Sequence, residues 1–442
     1  MSSEFAIQCM FKTLLVGIFV LTCVCTASAE SPGVVNASSE RWMTVRVYGN
    51  ILYTTGAWGR KDVDESTAVA TASPLTEADI EGWMKDCADH GVTTVLWQSH
   101  CGGLSTHPSP VFPLPGPPFP AHNAAWEPVW QFLGEQVRRF DTLNAAIAAA
   151  HKHGLRFAYA LCLWDFVGSP FEECVFHPNL WMLSRDGEPF MGVACYAEPE
   201  VQELILKHVR DVLDRGVDDV AISPFAHTQG GGTDQPYYYG FNPPLVEAYR
   251  ERYGSDPAHE SLDANAWWAL YGDFYTDFLS RLHQETSQRG QRLIPYMTYD
   301  GHWGWGGTGG NQLYQYHLHG GPAPTVAPGC GIQLQWQRWA QEGIVDGLLL
   351  LAPPADSVAL GRAVQEQAKL PVLVWRKMNP GIPDEQWVTY RQEAAQVAAE
   401  ELGGYVVHAM VTVDPCIPYP DYPERLWSVI QSAAGAETQK GE

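Results

Sequence analysis

Apolar positions along this chain follow two rhythms that take turns. Short continuous apolar runs, such as Leu348-Leu349-Leu350-Leu351, alternate with segments whose apolar residues recur every three or four positions. The runs read as strands over residues 43–48, 92–97, 155–163, 217–223, 293–299, 347–352, 371–377 and 405–411. After the first of them, Ile80, Trp83, Met84 and Cys87 share one helical face behind Thr76, an N-cap with Asp79 three residues on. Further helices are predicted over 141–154, 201–216, 243–289 with a break at 254–257, 332–342, from Asp356, 384–403 and 423–433.

Each strand-like run is thus followed by a helical one. Unbroken apolar runs suit parallel strands buried on both faces. The pattern predicts an α/β chain forming a single (β/α)8 TIM barrel over 43–437, with long loop insertions at the C-terminal face of the strands. A doubly wound open sheet is the alternative, but no GxGxxG follows the first strand. Residues 30–42 read as an N-terminal extension, 108–120 as a Pro-rich loop over the barrel and 438–442 as a frayed tail.

The N-terminus carries a different signal. Residues 14–25 are an apolar run too short to span a membrane, and Ala27-Ser28-Ala29 follows as a small-residue cleavage pattern. Residues 1–29 are therefore expected to be a signal peptide, and the protein secreted or periplasmic. A start at Met10 leaves Lys12 alone before the run, which makes the better leader. After cleavage no membrane partner is expected.

The chain has 442 residues and a net charge of −23, so it lacks the basic footprint of a nucleic-acid binder. Its 17 Trp, 19 Tyr and 16 Phe suit either a large aromatic core or a neutral polar ligand such as a sugar. Cys87, Cys101, Cys162, Cys174, Cys195, Cys330 and Cys416 lie beyond the leader, widely spaced and odd in number, so no disulfide framework is indicated. One disulfide between Cys174 and Cys195 is the exception considered.

In a TIM barrel the chemistry sits where the strands end. Those ends supply Trp97 and His100, then Trp164 and Asp165, then His227, then Tyr299, Asp300, His302 and Trp303. Trp375 and Arg376 end the seventh strand, and His408 the eighth. Glycoside hydrolysis usually needs two carboxyl groups, and Asp165 and Asp300 are the best-placed pair. The other residues are expected to bind substrate, aromatic faces stacking on sugar rings and polar tips meeting hydroxyls. Either aspartate otherwise caps a loop. Of Arg376 and Lys377 only one can face the mouth, because strand neighbours alternate. The pairs His151/His153 and His317/His319 have neither HExxH spacing nor an obvious third ligand, so no metal and no cofactor is expected. GxSxG and P-loop patterns are absent from the sequence.

Several stretches resemble a known family. Phe176-His177-Pro178-Asn179-Leu180-Trp181, Ser184-Arg185-Asp186-Gly187, Cys195-Tyr196-Ala197-Glu198-Pro199-Glu200-Val201 and Tyr239-Gly240-Phe241-Asn242-Pro243-Pro244 are similar to the bacterial family 10-like glycosyl hydrolases. That resemblance covers roughly residues 74–301 and implies an exported TIM-barrel glycosidase. Family members commonly carry an acidic residue and an Arg at the fourth strand end. Here Ser223 or Pro224 takes the acidic position and His227 stands nearest to the Arg, so no catalytic residue is carried over there. The expected function is hydrolysis of a poly- or oligosaccharide by carboxylate acid/base chemistry. The alternative is a carbohydrate-binding barrel that has lost hydrolysis.

Overall fold

The computed structural model describes residues 39–47, 74–101, 103–116, 127–164, 180–223, 239–299, 302–305, 330–409 and 420–435. All of them fall in the unit that spans Ser38–Glu442, and the leader lies outside them. Eight parallel strands close on themselves. They are β1 (Glu40–Val45), β2 (Thr94–Trp97), β5 (Arg156–Cys162), β8 (Asp219–Ser223), β9 (Arg292–Thr298), β12 (Leu348–Leu351), β13 (Val372–Met378) and β14 (Gly404–Ala409). Their order is β1-β14-β13-β12-β9-β8-β5-β2, with β2 paired back to β1. This is the (β/α)8 barrel that the sequence predicts.

Helices follow in turn: α1 (Glu77–Asp89), α2 (Glu127–Val137), α3 (Thr142–Lys152), α4 (Pro199–Asp214), α5 (Pro243–Tyr253), α6 (Ala264–Ser287), α7 (Trp336–Glu342), α8 (Ser357–Ala368), α9 (Asp384–Ala399) and α10 (Tyr422–Ser432). Local chemistry sets their ends. Thr76 Oγ1 accepts from the Asp79 amide at 3.3 Å while Asp79 Oδ2 accepts from the Thr76 amide at 2.7 Å, a reciprocal cap on α1. Asp141 Oδ1 caps α3 by accepting from the Asn144 amide at 3.1 Å. Gly254 stops α5 at φ 70°, a left-handed conformation open to glycine.

Two expectations need correction. The barrel begins at Glu40, inside the segment read as an extension, because Glu40 and Trp42 already pair with Gly404 and Val406. The helix predicted over 332–342 begins only at Trp336, and residues 332–333 are strand: β11 (Cys330–Gln333) pairs antiparallel with β10 (His302–Trp305). Gly272 of α6 makes room for it, since a Cβ there would lie 2.4 Å from the Gln333 carbonyl oxygen. Two further antiparallel hairpins were not predicted, β3 (His100–Cys101) with β4 (Leu104–Ser105) and β6 (Trp181–Leu183) with β7 (Pro189–Ala194). Nor was α2.

Side-chain alternation divides each strand between the barrel interior and the helix layer. At the N-terminal end the interior is plugged by charge. Arg292 Nε donates to Asp219 Oδ1 at 2.6 Å, Arg292 Nη1 to Glu40 Oε1 at 2.8 Å and Arg156 Nη2 to Asp219 Oδ1 at 2.7 Å. Burial pushes the Glu40 carboxyl up, but the Arg292 guanidinium outweighs it and holds the group below its ordinary range. Cys195 is a free, buried thiol pushed up to about 12 by burial, and Cys174, the partner considered for it, lies outside the described residues.

Candidate functional site

Register fixes which side chains share the C-terminal end of the barrel interior. Thr44 lies at the level of His408, since Met43 pairs with Val407 next to it, and Lys377 pairs directly with His408. Trp375 pairs with Val406 one step below. These residues face the interior from β1, β14 and β13, and Arg46 follows one step above Thr44. Arg46 Nη2 lies 2.5 Å from His408 Nε2, and Thr44 Oγ1 lies 3.2 Å from His408 Nδ1. The Trp375 and His408 rings are 4.9 Å apart and tilted by 41°. Lys377 is the one residue of β13 that is not buried. Across the barrel, Gln98 Nε2 approaches Cys162 Sγ at 3.5 Å, and Ser223 pairs with Cys162 in register. Tyr296 and Thr298 complete the inward set from β9, at the levels of Leu349 and Leu351.

Arg376 faces the other way, which corrects its assignment to the mouth. Its Nε and Nη2 donate to Glu393 of α9 at 2.8 and 2.5 Å, and Tyr405 Oη donates to the same carboxylate at 2.7 Å. Ser357 Oγ also meets Glu393. Burial works against the Arg376 charge and Glu393 outweighs it, so the guanidinium stays protonated. Trp97 is likewise turned to the helix layer. It shares a level with Tyr159, whose hydroxyl lies 2.8 Å from His208 Nε2 of α4, and its ring meets Phe157 at 6.0 Å. A buried cluster continues there, with His107 Nδ1 at 3.0 Å from Ser99 Oγ and 2.9 Å from Ser105 Oγ.

Trp164, two residues beyond β5, is buried against Tyr275 at 5.3 Å, Tyr296 at 5.6 Å and Tyr196 at 6.0 Å. Tyr299 stands at the rim of β9, 46% exposed. His100, His302 and Trp303 are placed by their backbones in the hairpin strands β3 and β10. Asp165, His227 and Asp300 lie outside the described residues. His151 Nε2 meets Asp218 Oδ2 at 3.0 Å and His153 Nε2 meets Glu81 Oε1 at 3.6 Å, at the N-terminal end of the barrel.

No family model and no curated protein matches the chain. Solved structures do resemble it. The catalytic domain of β-amylase from Paenibacillus polymyxa is 9% identical with a TM-score of 0.47, covering 85% of this chain and 94% of that one. The PgaB (BpsB) glycoside hydrolase domain from Bordetella bronchiseptica is 12% identical with a TM-score of 0.48, covering 90% and 99%. The β-galactosidase from the psychrophilic Marinomonas ef1 is 10% identical with a TM-score of 0.48, covering 89% and 58%.

Sequence reading missed Arg46 and Thr44. The strand-end rule finds Arg46 once β1 is seen to stop at Val45 rather than at residue 48. It also passed over Glu198 as a titratable group. Glu198 precedes α4 on the end where strands finish, and burial raises its carboxyl against a weaker opposing bond from Asn242.

Proposed function

We propose that this protein is an exported glycoside hydrolase acting on a poly- or oligosaccharide, with Asp300 and Asp165 as the carboxyl pair. The observation that carries the reading is the inward set at the C-terminal end: Trp375 beside His408, with Arg46, Lys377 and Thr44, above a barrel of apolar strands. An indole face with polar tips around it suits a sugar ring and its hydroxyls. Asp165 follows the last residue of β5 by three positions and Asp300 that of β9 by two, and only β8 separates those strands. In sequence both aspartates come directly after strand ends, and such enzymes work at the C-terminal ends of their strands. One would protonate the leaving oxygen while the other attacks the anomeric carbon or activates water.

Reducing-sugar release from a polysaccharide panel tests the reading. Asp300→Asn and Asp165→Asn are each expected to lower the rate by about 10²–10⁴ while the melting curve stays put. Full activity in Asp300→Asn would remove that residue from the site. Saccharide binding without release by the unaltered protein would point to the carbohydrate-binding alternative. Export is tested separately: the secreted protein is expected to begin at Glu30, and N-terminal sequencing that finds Met1 or a lipidated Cys23 would overturn it.

A further inference from the structure

Three neighbouring strands of the barrel, β9, β12 and β13, end in side chains that nothing holds. Tyr299 comes directly after β9. It is exposed, and among the described residues it has no ring contact, hydrogen bond or ion pair. Tyr253, the other exposed aromatic among them, leans on Tyr249 at 4.6 Å. Asp356 closes the loop after β12. It is exposed and stands before α8, yet its side chain makes no capping bond and, among the described residues, pairs with no cation. That loop is short and fixed. The Asp356 amide donates to the Pro353 carbonyl at 3.1 Å, and the next residue, Ser357, is buried against Glu393. Asn379 comes directly after β13. Pro380 behind it favours an extended backbone, so the alternation continues and Asn379 shares the inward face of Trp375 and Lys377. Its Oδ1 is a buried acceptor without a partner, in a residue that is only partly buried. Carboxylates at the opposite end of the barrel are bonded instead. Asp218 Oδ2 accepts from the Phe157 amide at 2.7 Å, and Asp346 Oδ2 from the Leu293 amide at 2.8 Å.

We infer that the rim at the ends of β9, β12 and β13 is a saccharide subsite for an uncharged chain, formed by Tyr299, Asp356 and Asn379. Two inter-strand spacings, about 10 Å, separate β9 from β13, a span that a short saccharide covers. Tyr299 offers a ring face for stacking. The Asp356 carboxylate accepts hydrogen bonds and the Asn379 amide both accepts and donates, so both suit sugar hydroxyls. An orphaned acceptor gains most from a ligand that supplies its missing donor, and the last torsion of Asn is soft enough to turn the amide toward one. The Asp356 charge also repels a uronate or sulfated chain. The catalytic use of this subsite rests on the glycosidase reading above, in which Asp300 follows Tyr299; saccharide binding does not.

Calorimetric binding by the full chain tests it, in an Asp165→Asn/Asp300→Asn background so that the ligand stays whole. The probes are soluble cello-, xylo- and N-acetylchito-oligosaccharides from disaccharide to hexasaccharide, with oligogalacturonate as the acidic control. The longer members of one neutral ladder are expected to bind tighter than its disaccharide. Tyr299→Ala, Asp356→Ala and Asn379→Ala should each weaken that binding about tenfold, the scale of one good hydrogen bond or stacked ring. The melting temperature should stay put, because none of the three side chains has a partner to lose. Oligogalacturonate should bind the starting protein poorly and gain affinity in Asp356→Ala. No neutral ladder bound, undiminished affinity in all three variants, or oligogalacturonate held as tightly as the neutral chain would overturn the subsite. Affinity lost only together with a lower melting temperature would overturn it too, by making these side chains part of the fold. Binding and its losses as expected, with no sugar released by the unaltered protein, would fail the glycosidase reading and leave the subsite standing.

Discussion

Neighbouring residues on one strand have opposite fates here. Trp375 and Lys377 look into the barrel and Arg376 between them looks out, held by Glu393. The alternation was legible in the sequence, since only one of Arg376 and Lys377 had room in the mouth. Which one was not legible, because it depends on a carboxylate one helix later, at Glu393. Replacing that carboxylate leaves a fully buried guanidinium without its counter-charge. Glu393→Gln is therefore expected to destabilise the fold by about 3–5 kcal/mol, read from urea denaturation. A loss within about 0.5 kcal/mol, the size of an ordinary surface change, would mean that the pair is not the buried anchor described.

At the scale of elements, the strands of the barrel were easy to see and the hairpins were not. Leu348–Leu351 is a continuous apolar run because both of its faces are covered. The strand β11 has no such run; Cys330-Gly331-Ile332-Gln333 is short, and Ile332 with Trp336 and Trp339 mimics a helical spacing. What makes it a strand is its partner β10 and the notch at Gly272, neither of which a local pattern contains. The notch makes a test. In an open helix Gly272→Ala would help by up to about 1 kcal/mol. Here the added methyl meets backbone that cannot step aside, and overpacking of that kind costs about 1–3 kcal/mol. A lower melting temperature for Gly272→Ala is expected, and a higher one would show that β11 does not press on α6. Bond geometry agrees with the tight fit: Gln335 Nε2 donates to Asp273 Oδ1 at 2.9 Å, and Thr276 Oγ1 donates to Gln335 Oε1 at 3.0 Å.

For the whole molecule, the two ends of the barrel carry charge for different reasons. The lower plug of Glu40, Arg292, Asp219 and Arg156 couples stability to pH. The folded-state value of Glu40 lies below its ordinary 4.5. Its contribution is thus fully present above that value and is lost as pH falls through the folded one. Denaturation at pH 7 and at pH 3 should show a smaller difference in Glu40→Gln than in the unaltered protein. An equal difference would place the acid sensitivity elsewhere. The site at the upper end was half legible. Trp375 and His408, picked by the strand-end rule, do face the barrel interior, whereas Arg46 was hidden by a three-residue error in the first strand and Trp97 faces the helix layer.

The closure of β1 on β14 has a consequence in time. Thr44 and His408 meet across 364 positions of sequence, and the Arg46–His408 contact lies on that same seam. No earlier strand can stand in for β14, so a chain still being synthesised holds a sheet with two bare edges and no finished mouth. The wall that carries Thr44, Arg46 and His408 is consequently among the last parts of the molecule to exist. A leader that delays folding until translocation is complete would cost this architecture little, because nothing near Arg46 can assemble before the final strand arrives.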